Sequence, residues 1–128
     1  MSSNIIKKIL LTSVLFIAID FVYLKSLKPM TEKMIYSIQG SKMRFDYGGA
    51  IFAYVCIIAL FNYFIIHKNG TIMDAFLLGL LTYGIFEGTN RAIFSKWTIQ
   101  FMAIDTLWGG ILFATVLYLF RILIKNLP

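Results

Sequence analysis

Three acidic residues fall inside stretches that are otherwise apolar: Asp20, Glu87 and Asp105. The segment IFEGTNRAIF, residues 85–94, sets Asn90 and Arg91 in the same run as Glu87. Ionisable side chains at membrane depth are costly, and they mark sites that face a bundle interior or a polar path. Clustered carboxyls in a low-dielectric pocket resist carrying full charge together. One could then serve as general acid and another as base, so Asp20, Glu87 and Asp105 are the candidate catalytic residues. Asp, Glu and Asn also suit Mg²⁺ or Mn²⁺. The sequence specifies neither a metal nor any other cofactor. His67 is the sole histidine, which excludes a histidine-rich iron site, and no nucleophilic triad can be assembled. Cys56 is the sole cysteine, which excludes an intramolecular disulfide and a thiolate zinc site.

The elements that must position these groups follow from hydropathy. The chain has 128 residues, of which 59% are hydrophobic, and a mean hydropathy of +0.81. A soluble domain this short leaves too much surface exposed to hide that apolar area, whereas runs of about 20 apolar residues match a bilayer core. The expectation is one all-α, multi-pass membrane domain of four transmembrane helices, at about 5–24, 48–66, 71–94 and 98–124. Lys7 and Lys8 resemble the start of a signal peptide. The run after them is longer than a signal core, contains Asp20 and lacks a small-x-small cleavage site, so it reads as a retained helix.

The long connection KSLKPMTEKMIYSIQGSKMRFDY, residues 25–47, carries Pro29 as a break, Thr31 as an N-cap and Gly40 as a stop. Met34, Ile35 and Ile38 form a stripe among Lys25, Lys28, Lys33, Lys42 and Arg44. These features predict a short amphipathic helix over 30–39, lying in the membrane interface between helices 1 and 2. HKNG at 67–70 and SKW at 95–97 are tight turns, with Gly70 free to take positive φ. Short turns imply antiparallel neighbours and both termini on one side. Seven bases beside the long connection against five on the terminus side place that connection in the cytoplasm by a slim excess. Asp46 and Asp74 are expected at the interface, with Asp74 in the first turn of the third helix, where a carboxylate is favoured.

Alternating helix directions bring all three acids to the side of the long connection, each about 6–10 Å from the midplane at ~1.5 Å per residue. Tyr54 lies at a comparable depth. Helical spacing puts Gly79, Tyr83, Glu87, Asn90 and Phe94 on one face of the third helix. Asp105, Trp108, Gly109 and Leu112 share a face of the fourth, and Ser13, Phe16, Ile17, Asp20 and Tyr23 a face of the first. One interior pocket is expected, with Tyr54, Tyr83, Thr89, Asn90, Arg91 and Trp108 around the acids. Arg91 is expected to pair with Glu87 or Asp105, and Asn90 to satisfy a remaining acid. Gly84 and Gly88 make a GxxxG step that permits close packing, within the bundle or between copies in a homo-oligomer. Trp97 reads as an interfacial anchor.

YGIFEGTNRAIFSKW followed by IDTLWG resembles the family of small membrane proteins known as domain of unknown function 2177, found in bacteria and large DNA viruses. Its pattern of an Ile-Asp pair, a tyrosine, a G…Y…YDLTN stretch, a tryptophan and D..WG is matched in order. Here these are Ile19-Asp20, Tyr54, Gly79, Tyr83, Glu87, Thr89-Asn90, Trp97, Asp105 and Trp108-Gly109. Glu87 stands where the family has Asp, Phe86 where it has Tyr, Gly88 where it has an apolar residue and Tyr23 where it has Trp. The resemblance implies four membrane helices and no particular activity.

Three functions fit these residues. The leading reading is a structural or partner-binding membrane protein whose polar cluster locks the bundle. The alternatives are an embedded enzyme acting on a lipid or isoprenoid-like substrate, and proton or ion transport through an oligomer. The net charge of +6 suits anionic membrane lipids as partners. Its placement at the ends of apolar runs argues against nucleic acid.

Overall fold

A computed structural model describes residues 3–128 as four α-helices: α1 (Ser3–Gln39), α2 (Tyr47–Phe61), α3 (Ile72–Ile93) and α4 (Ile99–Ile124). α2 ends in one π-helical turn, Asn62–Ile66. α2 with its π turn, α3 and α4 are long and apolar enough to cross a membrane. Their ends lie within a residue of the expected spans. Thr71 and Asp74 form a reciprocal capping box at the start of α3, Thr98 caps α4 by accepting from Phe101 N, and Asp46 caps α2 by accepting from Gly48 N. Each cap satisfies backbone N–H groups that a helix start leaves without partners.

α1 departs from the expectation. Pro29 does not break it, and Thr31 is no N-cap: residues 30–39 continue the same 37-residue helix. Proline removes one helical hydrogen bond and crowds the preceding turn, but here tertiary contact outweighs that cost. Met34 is buried against Trp97 and Phe101, with Leu27, Met30, Ile35 and Ile38 packed around them. The apolar stripe therefore faces the α3–α4 turn. Thr31 Oγ1 instead donates to Leu27 O, a back-bond that steadies the turns around the proline. Gly40, at φ +71°, does stop the helix. At ~1.5 Å per residue α1 is about 55 Å long, well beyond a bilayer core of about 30 Å.

The α2–α3 turn also differs from expectation. Asn69 takes the positive φ, 53°, and Gly70 does not. Asn tolerates the left-handed region because its short polar side chain bonds locally. Gly70 is instead buried, with Asp74 and Ile65 close to where a Cβ would project.

α3 and α4 form the closest pair, α1 packs on α4, and α2 packs on α1. The α3–α4 approach is set by Gly79 and Gly109. A Cβ on Gly79 would come within 2.1 Å of Gly109 O, and one on Gly109 within 2.4 Å of the Tyr83 ring. Gly110 similarly receives the Phe76 ring. The Gly84–Gly88 step plays no such part inside the bundle: Gly84 meets only Thr106 at contact distance, and Gly88 faces open space. Phe16, Phe61 and Phe113 meet edge to face at the centre of the core. On the outside, Val14, Phe21, Val22, Phe52, Leu81 and Ile85 are exposed, as lipid contact requires.

Candidate functional site

The three acids do converge, through partners that come from all four helices. Asp20 is on α1, about two turns beyond Thr12, where Asn62 Nδ2 donates to Thr12 Oγ1 at 2.9 Å and ties α2 to α1. From α2, Tyr54 Oη donates to Asp20 Oδ2 at 2.5 Å. From α4, Trp108 Nε1 donates to Asp20 Oδ1 at 2.9 Å. Both carboxylate oxygens are thus engaged, and the residue is buried.

Tyr23 lies three residues beyond Asp20 and so on the same side of α1. Its ring stacks on Trp108 with centroids 4.4 Å apart and planes 4° apart, and its hydroxyl donates to Asp105 Oδ1 at 2.8 Å. Asp105 in turn adjoins Glu87 within hydrogen-bonding reach. Glu87 Oε1 accepts from Trp97 Nε1 at 2.8 Å. A continuous chain of contacts therefore runs Tyr54, Asp20, Trp108, Tyr23, Asp105, Glu87, Trp97.

Glu87 is the fully enclosed member, with 0% of its surface exposed. Its second oxygen, Oε2, is buried and meets no N–H or O–H donor among the described residues. Its charged neighbour is another carboxyl. Two ionised carboxylates in such contact repel, whereas one proton between them makes a hydrogen bond. Tyr83 packs its ring against Gly109 and lies close enough to feel the charges of Asp20 and Asp105.

The remaining sequence candidates lie apart. Arg91 makes no ion pair with Glu87 or Asp105: its Nη1 donates to Ser95 O at 2.9 Å and Trp97 O at 2.7 Å. Arg91 occupies the last turn of α3, where the chain beyond the helix offers carbonyls without helical partners, and a guanidinium satisfies them readily. Asn90 is half-buried and its side chain makes no hydrogen bond among the described residues, while Thr89 is exposed. Neither satisfies an acid. Trp97 is not an interfacial anchor: it is 7% exposed and spends its one donor on Glu87. That role is invisible in sequence because it depends on how the 95–97 turn folds back. Tyr23 carried a signal, its i+3 spacing from Asp20, but that its hydroxyl reaches Asp105 depends on how α1 packs on α4.

Among the described residues no three His, Cys, Asp or Glu side chains are grouped so as to hold a metal ion. The cluster is a set of carboxyls held by aromatic N–H and O–H donors. It can bind helices together and can hold a proton.

A family model described as "Predicted membrane protein (DUF2177)" matches residues 5–120. No curated protein and no solved structure matches the chain. With that match over nearly the whole length and three helices built to cross a bilayer, the chain is a multi-pass membrane protein and belongs to the DUF2177 family.

Proposed function

We propose that this protein is a membrane-embedded structural or partner-holding unit whose carboxyl–aromatic network locks four helices in one arrangement. One observation carries the reading: every acid of the cluster accepts a hydrogen bond from an aromatic side chain on another segment. In this reading the first part of α1 is a fourth crossing. Its second part, beyond Pro29, stands past the bilayer core and braces the α3–α4 turn through Met34. A buried hydrogen bond to a charged group contributes about 1.5–3 kcal/mol; the Tyr54 bond to Asp20 ties α2 to α1, and the Tyr23 and Trp108 bonds tie α1 to α4.

The test is a pair of double-mutant cycles, Asp20→Asn with Tyr54→Phe and Asp105→Asn with Tyr23→Phe, scored by unfolding in detergent. Coupling of about 1–2 kcal/mol in each pair is expected for contacting groups. Two cycles with no coupling would sink the lock.

A second reading has its own observation. Glu87 Oε2 is enclosed without a donor while Asp105 adjoins the same carboxyl. In this reading the two carboxyls hold one proton between them, as acid–base or proton-transfer chemistry needs. Infrared spectra at neutral pH would then show the carbonyl stretch of a protonated carboxyl, and Glu87→Gln would abolish it. Absence of that band from the unaltered protein removes this reading and leaves the lock untouched.

A further inference from the structure

At the opposite end of the bundle, away from the acids, α1, α4 and the α2–α3 turn enclose a pocket of about 200 Å³. Its walls are Ile65, Leu117, Phe120 and Ile124, and its rim carries Lys8 and Arg121. Both cations are half-buried. Arg121 places one nitrogen, Nη2, on Gly70 O at 2.5 Å, which fixes the guanidinium at the rim and leaves its remaining donors for another acceptor. Lys8 has no acceptor for its ammonium among the described residues. No carboxylate lines the pocket, and Asp74, at the start of α3, is committed to the capping box with Thr71. Two cations at the mouth of an apolar groove, at the end of membrane-crossing helices, have one complement: a phosphate joined to hydrocarbon.

We propose that the Lys8–Arg121 pocket binds the headgroup phosphate of an anionic phospholipid, with the acyl chains lying along the groove beside Ile65 and Leu117. Basic pockets between membrane helices suit anionic headgroups, and each cation near such a surface strengthens attachment. The charge of this end thus has a defined address, separate from the carboxyl network. The inference does not depend on what that network does.

Native mass spectrometry of the full chain in maltoside detergent, titrated with phosphatidylglycerol or phosphatidylcholine, tests it. Phosphatidylglycerol should be retained in preference to phosphatidylcholine at one lipid per chain. Lys8→Gln should weaken that retention about fivefold, the worth of one cation beside an anionic lipid. Lys8→Arg should restore it. Arg121 also holds Gly70, so Lys8 is the cleaner probe. Lys33→Gln, on the far half of α1, should change nothing. Equal retention of the two lipids, an unchanged preference in Lys8→Gln, or an equal loss in Lys33→Gln would each overturn the proposal. Displacement of the lipid by inorganic phosphate at matched concentration would also overturn it, because the groove would then have no part in binding.

Discussion

Glu87 is the residue on which the two functional readings part, and its substitutions have different expected costs. Glu87→Ala removes the acceptor of the Trp97 N–H, and leaving a buried donor unmatched costs about 1–3 kcal/mol. It also empties a fully buried volume between α3, α4 and the 95–97 turn, and truncations of that kind cost about 2–5 kcal/mol. Because the two terms overlap, a total of about 3–5 kcal/mol is expected. Glu87→Gln should behave quite differently. Its carbonyl can accept from Trp97 as Oε1 does, and its amide can donate to the adjoining Asp105. The Trp97 donor then keeps its acceptor and the amide gains one, and the cost should stay within about 1 kcal/mol. For a chain of this size 1 kcal/mol corresponds to roughly 3–5 °C in Tm. Glu87→Ala should therefore melt at least 10 °C lower, by the same scale, and Glu87→Gln close to the unaltered protein. Tryptophan fluorescence in maltoside micelles is a direct assay, because the two tryptophans of the chain, Trp97 and Trp108, both donate to the cluster. An unchanged melt for Glu87→Ala would refute the reasoning, as would a Gln variant as damaged as the Ala one. The Ala result bears on the lock. The Gln variant, folded but without an ionisable carboxyl, is the one in which a chemical role would show as lost cellular function.

Gly79→Ala and Gly109→Ala should each destabilise the protein by about 1–3 kcal/mol or more, since each new Cβ would meet the facing backbone carbonyl and a packed aromatic ring, Phe113 or Tyr83; Gly88→Ala should be neutral by the same melt. Arg91→Ala should cost about 1–2 kcal/mol through the Ser95 and Trp97 carbonyls. A double-mutant cycle of Arg91 with Glu87 should show coupling below about 0.5 kcal/mol, and a large coupling would restore the ion pair the geometry lacks. Spin labels at Lys25 and Ser37, both exposed, should sit near the ~18 Å backbone separation of a continuous helix. A broad, shorter distribution would show that Pro29 breaks α1 after all.

The helices were legible in the sequence wherever hydropathy alone decides. The apolar runs of α2, α3 and α4 and the Gly40 stop are local features, and they end within a residue or so of where local rules put them. The convergence of Asp20, Glu87 and Asp105 was legible too, because alternating helix directions and the 3.6-residue period fix both level and face. Local rules failed where a distant contact outweighs them. Pro29 reads as a break, yet Met34 seated against Trp97 and Phe101 carries the helix through it. Arg91 reads as the natural partner of Glu87 one turn away, yet the turn that follows α3 offers it two carbonyls, while Trp97 folds back to occupy the carboxylate. Sequence by itself determined that three acids must share the interior of a membrane bundle, because no other placement of charge is cheap in hydrocarbon. Only the tertiary structure decided what they hold: four aromatic donors and each other, with no cation, because which side chain reaches a carboxylate depends on turns and helix packing that no local pattern encodes.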